Sequence, residues 1–404
     1  MKNNSTSTTR PNYLLYPPCS TITITGFEPA SSAPFETTYH EFPCMNSSDR
    51  SSLFFLGRPL TPLYGSAMKV RALLYRSRIL RSYQFDVPVI SVGNLTMGGT
   101  GKTPMVIYLA RFLADRGFKP AVIIRGYRGQ ARGPVNIVSD GTSILLPPQE
   151  AGDEPVLISS RLKGTVVATG RKRHLVSEEV IRSHQCNLII MDDGFQHLKM
   201  KRDIDLVLFD ADHFAGNSRV FPGGELREPV SSLQRCDAFI LTGVTEHNLE
   251  RADKCADLLQ ERFSGKPVFK VTPMYAEFYR YTIAPDSISR EIIPPPEIPH
   301  NLYGFSGIAN AERFYRMAGQ QGIRLSGRKS FRDHHDYSAA DMNDLSRQAE
   351  QAGADGFLTT EKDMVKLTAA HHAPLPFYVP VLDYAANAAL DSFILDNLKE
   401  ISST

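Results

Sequence analysis

Apolar runs of four to six residues recur along this chain, separated by stretches in which apolar positions return every three or four residues. The sharpest switch is at 87–114: Val87-Pro88-Val89-Ile90-Ser91-Val92 reads as a buried strand, and 104–114 has the period of a helix. Further strand runs occupy 120–124, 166–169, 187–191, 205–209, 238–242 and 268–271, several with helical patterns between them. Continuous apolar strands alternating with helices predict an α/β fold built on a doubly wound, mostly parallel sheet, with ligands at the carboxyl ends of its strands. The Pro-rich stretch 285–299 reads as a connector. Helices around 309–321 and 339–352 and strands at 356–359 and 377–381 then predict a second, smaller α/β unit. The expected boundaries are 87–275 for the larger domain, 276–300 for the connector and 301–404 for the smaller domain.

Ahead of the first strand the pattern changes twice. Residues 1–48 are rich in Ser, Thr and Pro without sustained period, and are expected to be a disordered or untranslated extension, with Met45 as the natural start. Residues 51–85 contain no acidic side chain but carry Arg58, Lys69, Arg71, Arg76, Arg78 and Arg81 among apolar residues. At helical spacing Met68, Ala72, Tyr75 and Ile79 form one stripe, flanked by Lys69 and Arg76 on one side and Arg71 and Arg78 on the other. The segment 49–86 is therefore expected to lie on an anionic membrane surface. The competing reading is a helix packed on the neighbouring domain; Leu73, Leu74 and Leu80 lie off the stripe, so one side can meet lipid and another protein.

Bulk composition narrows the classes. A chain of 404 residues with 42% hydrophobic content has room for two domains, and a net charge of +2 calls for no nucleic acid partner. The five cysteines show neither Cys-x-x-Cys pairing nor zinc-type spacing, as in a reducing compartment. There is no run of about 18 apolar residues to span a bilayer, and no signal peptide is expected.

The chemistry concentrates after the strands. Gly93-Asn-Leu-Thr-Met-Gly-Gly-Thr-Gly-Lys-Thr103 joins the first strand to the first helix of the larger domain. Successive backbone N–H groups and a helix N-terminus can wrap phosphates, Lys102 can reach their oxygens, and the Thr103 hydroxyl can ligate Mg²⁺. The common form of this loop has Gly where Thr96 stands. The strand at 187–191 runs into Asp192-Asp193-Gly194-Phe195-Gln196-His197, placing carboxylates where Mg²⁺ needs them. Gly152-Asp153-Glu154-Pro155 is by itself best read as a helix N-terminus with favourable charge. Arg227 and Glu228 form a charge pair beside a glycine turn, Asp333-His334-His335-Asp336 clusters imidazoles with carboxylates, and Thr359-Thr360-Glu361-Lys362-Asp363 ends a strand in polar groups.

These segments, in this order from about Ser51 to the C-terminus, resemble the tetraacyldisaccharide 4′-kinases, the lipid A 4′-kinases of Gram-negative bacteria. Thr at position 96 agrees with that family. The resemblance implies two α/β domains joined by a hinge, peripheral association with the cytoplasmic face of the inner membrane, and transfer of the ATP γ-phosphate to the 4′-hydroxyl of lipid A disaccharide 1-phosphate, giving lipid IVA. It implies that Thr96, Met97, Gly98, Gly99, Thr100, Gly101, Lys102 and Thr103 bind the nucleotide. Thr103, Asp192 and Asp193 would organise Mg²⁺, and Asp153 would be the base, paired with His334 rather than His335. Arg171, Arg173 and Arg227 would anchor the substrate's phosphate, with Gln196, His197 and Glu228 beside them. No protein partner is expected. Two rivals stand against this reading. A partitioning or metal-insertion ATPase would carry a lysine just before the paired glycines, where this chain has Met97. A nucleotide-controlled membrane-binding module would need neither Asp153 nor His334.

Overall fold

A computed structural model describes residues 51–126 and 129–403. The expectations for residues 1–48 and for a start at Met45 lie outside these, as does Tyr127 of the Arg-Gly-Tyr motif. The described chain begins with helices α1 (Ser51–Gly57) and α2 (Thr61–Arg76). There follow β1 (Val89–Asn94), α3 (Lys102–Ala114), β2 (Pro120–Ile124), β3 (Asn136–Ser139), α4 (Pro148–Ala151), α5 (Asp153–Arg161), β4 (Val166–Thr169), α6 (Arg173–His184), β5 (Leu188–Asp192), β6 (Ile204–Asp210), β7 (Ala238–Thr242), α7 (Leu249–Arg262) and β8 (Val268–Lys270). These strands form one sheet in the order β3-β4-β2-β5-β1-β6-β7-β8, parallel throughout except for the β3–β4 pair. The doubly wound parallel sheet expected from the apolar runs is present. Its central strands are buried over their whole length because helices cover both faces. β1 lies between β5 and β6, so the loop after β1 opens at the carboxyl edge beside the end of β5.

The second sheet differs from expectation at both ends. The expected connector 276–300 is largely a hairpin: β9 (Pro273–Ala284) and β10 (Ser287–Ile293) pair antiparallel across the two-residue turn Pro285-Asp286. Pro285 is a turn residue, and only the prolines from Pro294 onward act as a spacer. With β11 (Asn301–Ser306), α8 (Ala311–Gln320), β12 (Arg324–Ser330), α9 (Ala339–Gln351), β13 (Gly356–Leu358), α10 (Glu361–Met364) and β14 (Phe377–Tyr384), the hairpin builds a sheet ordered β10-β9-β14-β13-β11-β12. At the far end, α11 (Ala388–Ser403) does not belong to this unit. Its Leu390, Ile394 and Leu398 are buried in the core that contains Leu109 and Leu113 of α3. The range 301–404 is therefore not one domain, because its last helix completes the first.

α2 corrects the predicted stripe. Met68, Ala72 and Tyr75 are half-buried, and Ile79 lies beyond the helix end. Thr61 and Tyr64 on the same inward face donate hydrogen bonds to the carbonyls of Val220 and Arg227. The outward face instead presents Leu63, Val70 and Leu73, with Phe55, Leu56 and Leu60 ahead of it. Arg71 points inward, while Lys69, Arg76 and Arg78 are exposed. Among the described residues no helix is long and apolar enough to cross a membrane.

Candidate active site

The loop between β1 and α3 is shaped by two neighbouring segments. Thr96 forms a bridge with Leu226, and the Met97 N–H donates to the Glu225 carbonyl at 2.8 Å. Thr96 is buried and does not need a left-handed backbone, so the position tolerates a β-branched residue where the common loop has Gly. Gln196 Nε2 donates to the Asn94 carbonyl at 2.8 Å. Gly101, at φ 73°, turns the chain into α3, and a Cβ there would come 2.0 Å from the Tyr384 hydroxyl. That hydroxyl donates to the Gly101 carbonyl at 3.2 Å, so the second sheet touches the phosphate loop directly.

A cleft of about 610 Å³ runs along the loop, walled on one side by Gly98 to Pro104, Asp153, Asp192 and Asp193 and on the other by Arg313, His334, Lys362 and Tyr384. Asp192 ends β5 with its Oδ1 buried and unpartnered. Burial and the charge of Glu154 push its carboxyl up to about 7 against the pull of Lys102. Asp193 is the opposite case. Burial raises it, but Lys102 at 3.5 Å and Arg227, with one nitrogen 2.8 Å from each carboxylate oxygen, bring it down to about 2.

Asp153 opens α5 after Gly152, at the positive end of the helix. Its Oδ2 lies 2.8 Å from Nδ1 of His334, a residue 181 positions later in the chain. Burial works against ionisation, yet the hydrogen bond from His334, with Lys362 and Lys366 beyond, holds the carboxyl at about 2. His334 adopts φ 59°, a conformation His tolerates better than most residues, and its N–H donates to the Gly307 carbonyl. His335 is spent elsewhere: its ring stacks on Phe331 and its Nε2 lies 3.2 Å from Asp341.

The six remaining predicted residues do not all converge. Arg173, 3% exposed, donates to the Asp193 carbonyl at 3.0 Å, and it lines the cleft with Arg227. Arg171 lines a separate basic cavity with Arg125, Arg132 and Lys172. Glu228 is buried against Arg235 and within 3.8 Å of Arg71, and the Gln196 carbonyl accepts from Arg71. His197 is held down to about 3 by burial and by Arg173, Arg202 and Arg71, so it is a neutral imidazole. Sequence reasoning missed Arg161, Arg313 and Tyr384, and assigned no role to Lys362. Arg161 pairs with both oxygens of Glu361 at 2.9 Å and with Asp383 at 3.2 Å, while Arg313 pairs with Asp210 and Asp212, tying the second sheet to the first. No local pattern marks these partners, because each pair is at least 100 residues apart in the chain.

A parallel sheet with a glycine-rich loop at its switch point, a lysine at the helix start and a buried strand-end carboxylate define a phosphate-loop α/β protein of the nucleotide-using kind. The comparisons give the family. The family model described as tetraacyldisaccharide-1-P 4′-kinase matches residues 53–399, and the chain belongs to that family. A tetraacyldisaccharide 4′-kinase of Desulfotalea psychrophila is 45% identical over 326 residues, 81% of this chain and 91% of the relative. One from Syntrophus aciditrophicus is 38% identical over 331 residues, 81% and 88% of the two chains. The crystal structure of LpxK from Aquifex aeolicus in complex with ATP superposes with a TM-score of 0.65 at 30% identity, covering 84% of this chain and 98% of that one.

Proposed function

We propose that this chain transfers the γ-phosphate of ATP to the 4′-hydroxyl of a tetraacyldisaccharide 1-phosphate. The observation that carries the reading is the Asp153–His334 pair, 2.8 Å apart, on the same cleft as Lys102 and the glycine loop. Asp153 is ionised at neutral pH and takes the acceptor's proton. Lys102 and the loop N–H groups neutralise charge on the transferring phosphoryl, where positioning and electrostatics supply most of the acceleration. Arg227 and Arg173 offer guanidinium groups beside Asp193 for an anionic part of the substrate. The apolar end of the cleft, with Tyr275, Phe314 and Met317, suits a planar base.

Asp192 and Thr103 fit Mg²⁺. The unpartnered buried Oδ1 of Asp192 is an oxygen ligand in want of a cation, and the Thr103 hydroxyl stands at the start of α3 on the same cleft. Among the described residues no three His, Cys, Asp or Glu side chains gather as a protein-only cage, which suits an ion completed by phosphate oxygens and water. When bound, Mg²⁺ would offset charge between the β- and γ-phosphates.

The outward face of α1 and α2, apolar with Lys69, Arg76 and Arg78 at its edges, is assigned to an anionic membrane surface, the cytoplasmic face of the inner membrane, where the lipid acceptor lies. Family membership argues against a partitioning ATPase, and Asp153 paired with His334 argues against a binding module. The test is purified protein with γ-labelled ATP, Mg²⁺ and lipid A disaccharide 1-phosphate in micelles. Label should enter the lipid and fall by about 10²–10⁴-fold in Asp153→Asn while ATP binding persists. Phosphate release without labelled lipid would refute the reading.

A further inference from the structure

Lys362, from the polar stretch at the end of β13, reaches the opposite side of the His334 ring from Asp153. Its Nζ lies 3.0 Å from His334 Nε2, 3.2 Å from Glu154 and 3.6 Å from Asp333, with the side chain 19% exposed. Burial pulls this ammonium down, but Glu154, Asp333 and Asp153 outweigh it and hold Lys362 above its usual range. A protonated lysine has three donors and no acceptor. Nε2 must therefore accept, and the imidazole proton must sit on Nδ1 and point at Asp153.

We propose that Lys362 is a positioning residue that caps Nε2 of His334, fixes its Nδ1–H tautomer and denies the ring a second proton, so that Asp153 is the terminal proton holder in the transfer. The inference rests on the kinase reading above and deepens it. As the acceptor oxygen bonds to the γ-phosphorus, the bond from that phosphorus to the bridging oxygen breaks and its electron pair leaves with ADP. The hydroxyl proton passes to Asp153 through the oxygen that His334 does not occupy. Among the described residues, the charged groups that face the imidazole or its cap include Asp153, Asp333 at 4.0 Å from Nε2, Lys362, and Glu154 through Lys362. Asp153, Asp333 and Glu154 are carboxylates, and without the lysine they favour an imidazolium. A protonated His334 would tighten on Asp153 and weaken it as a base.

Nitrogen-15 NMR of histidine-labelled full-length protein tests this, with His334→Gln used to assign the signal. At neutral pH the native protein is expected to show a pyridine-like Nε2 and a pyrrole-like Nδ1 for His334. Lys362→Met should convert both nitrogens to the protonated type and lower kcat by about 10–100-fold at neutral pH, with ATP KM unchanged. Its rate should recover as pH rises, whereas Lys362→Arg keeps the native tautomer and profile. An imidazolium or an Nε2–H tautomer in the native protein overturns the inference, as does a Lys362→Met protein with the native spectrum and pH profile. A native protein that fails to label the lipid refutes the kinase reading, while the tautomer, measured without substrate, still decides the role of Lys362.

Discussion

Neighbouring carboxylates in this cleft carry opposite burdens. Asp193 is ionised by its cations, but Asp192 has a folded pKa of about 7, above the unfolded value near 3.9. Between those values the unfolded chain is ionised and the folded one holds its proton, so stability falls as pH rises from about 4 to 7 and stays reduced above. Asp192→Asn should raise the melting temperature of the metal-free protein by a few degrees at pH 8 and change little at pH 4, as calorimetry would show. Binding of a cation is what would relieve the native residue. His197 acts in a different window. Its folded pKa of about 3 lies below the unfolded value near 6.5, so its contribution is present above pH 6.5 and is lost as pH falls toward 3. His197→Gln should flatten the acid limb of a stability profile, and an unchanged limb would contradict the neutral assignment. Asp153 shows how little a residue says alone: read locally it is a charged helix start, and only His334, brought in by the fold, supports its proposed role as the base.

At the scale of elements, the two faces of α2 make separable predictions. Leu63→Glu with Val70→Glu and Leu73→Glu should weaken binding to anionic vesicles by at least about tenfold in sedimentation while leaving the melting temperature unchanged. Met68→Glu should lower that temperature, because its face packs on the protein. Equal loss of vesicle binding from both would contradict the orientation. Arg161 gives a third prediction: Arg161→Ala leaves the largely covered Glu361 without its cation, while Asp383 keeps Arg111, and should cost about 3 kcal/mol in denaturant unfolding. The pattern of what was legible follows from burial. β1, β2, β4, β5, β6 and β7 are covered on both faces and announce themselves as apolar runs. β12, Arg-Leu-Ser-Gly-Arg-Lys-Ser, is an edge strand with mixed exposure and has no such signature. β9 and β10 were masked by the prolines around them, although the alternation of aromatic and polar residues in β9 is a strand signal. The glycine loop and the Asp192-Asp193 pair were legible because their chemistry is local; the separation of Arg171 from Arg173 was not, since it depends on where α6 begins.

Across the whole molecule the two sheets are joined by more than their covalent crossing. Arg313 reaches Asp210 and Asp212, Tyr384 reaches Gly101, and Arg111 of α3 reaches Asp383 at 2.6 Å. These contacts gather at the carboxyl edge of the first sheet, so the fold meets itself where the chemistry lies. Removing residues 386–404 should expose the α3 surface that Leu390, Ile394 and Leu398 cover, and the shortened protein should bind a hydrophobic dye and lose cooperative melting. A shortened chain that melts like the whole one would show that α11 is dispensable. The docking of α11 also sets a schedule for synthesis. The phosphate-loop helix emerges from the ribosome early, but its core lacks a wall until α11 arrives. A nascent or prematurely terminated polypeptide that lacks α11 is therefore expected to carry an unfinished first core, open along α3.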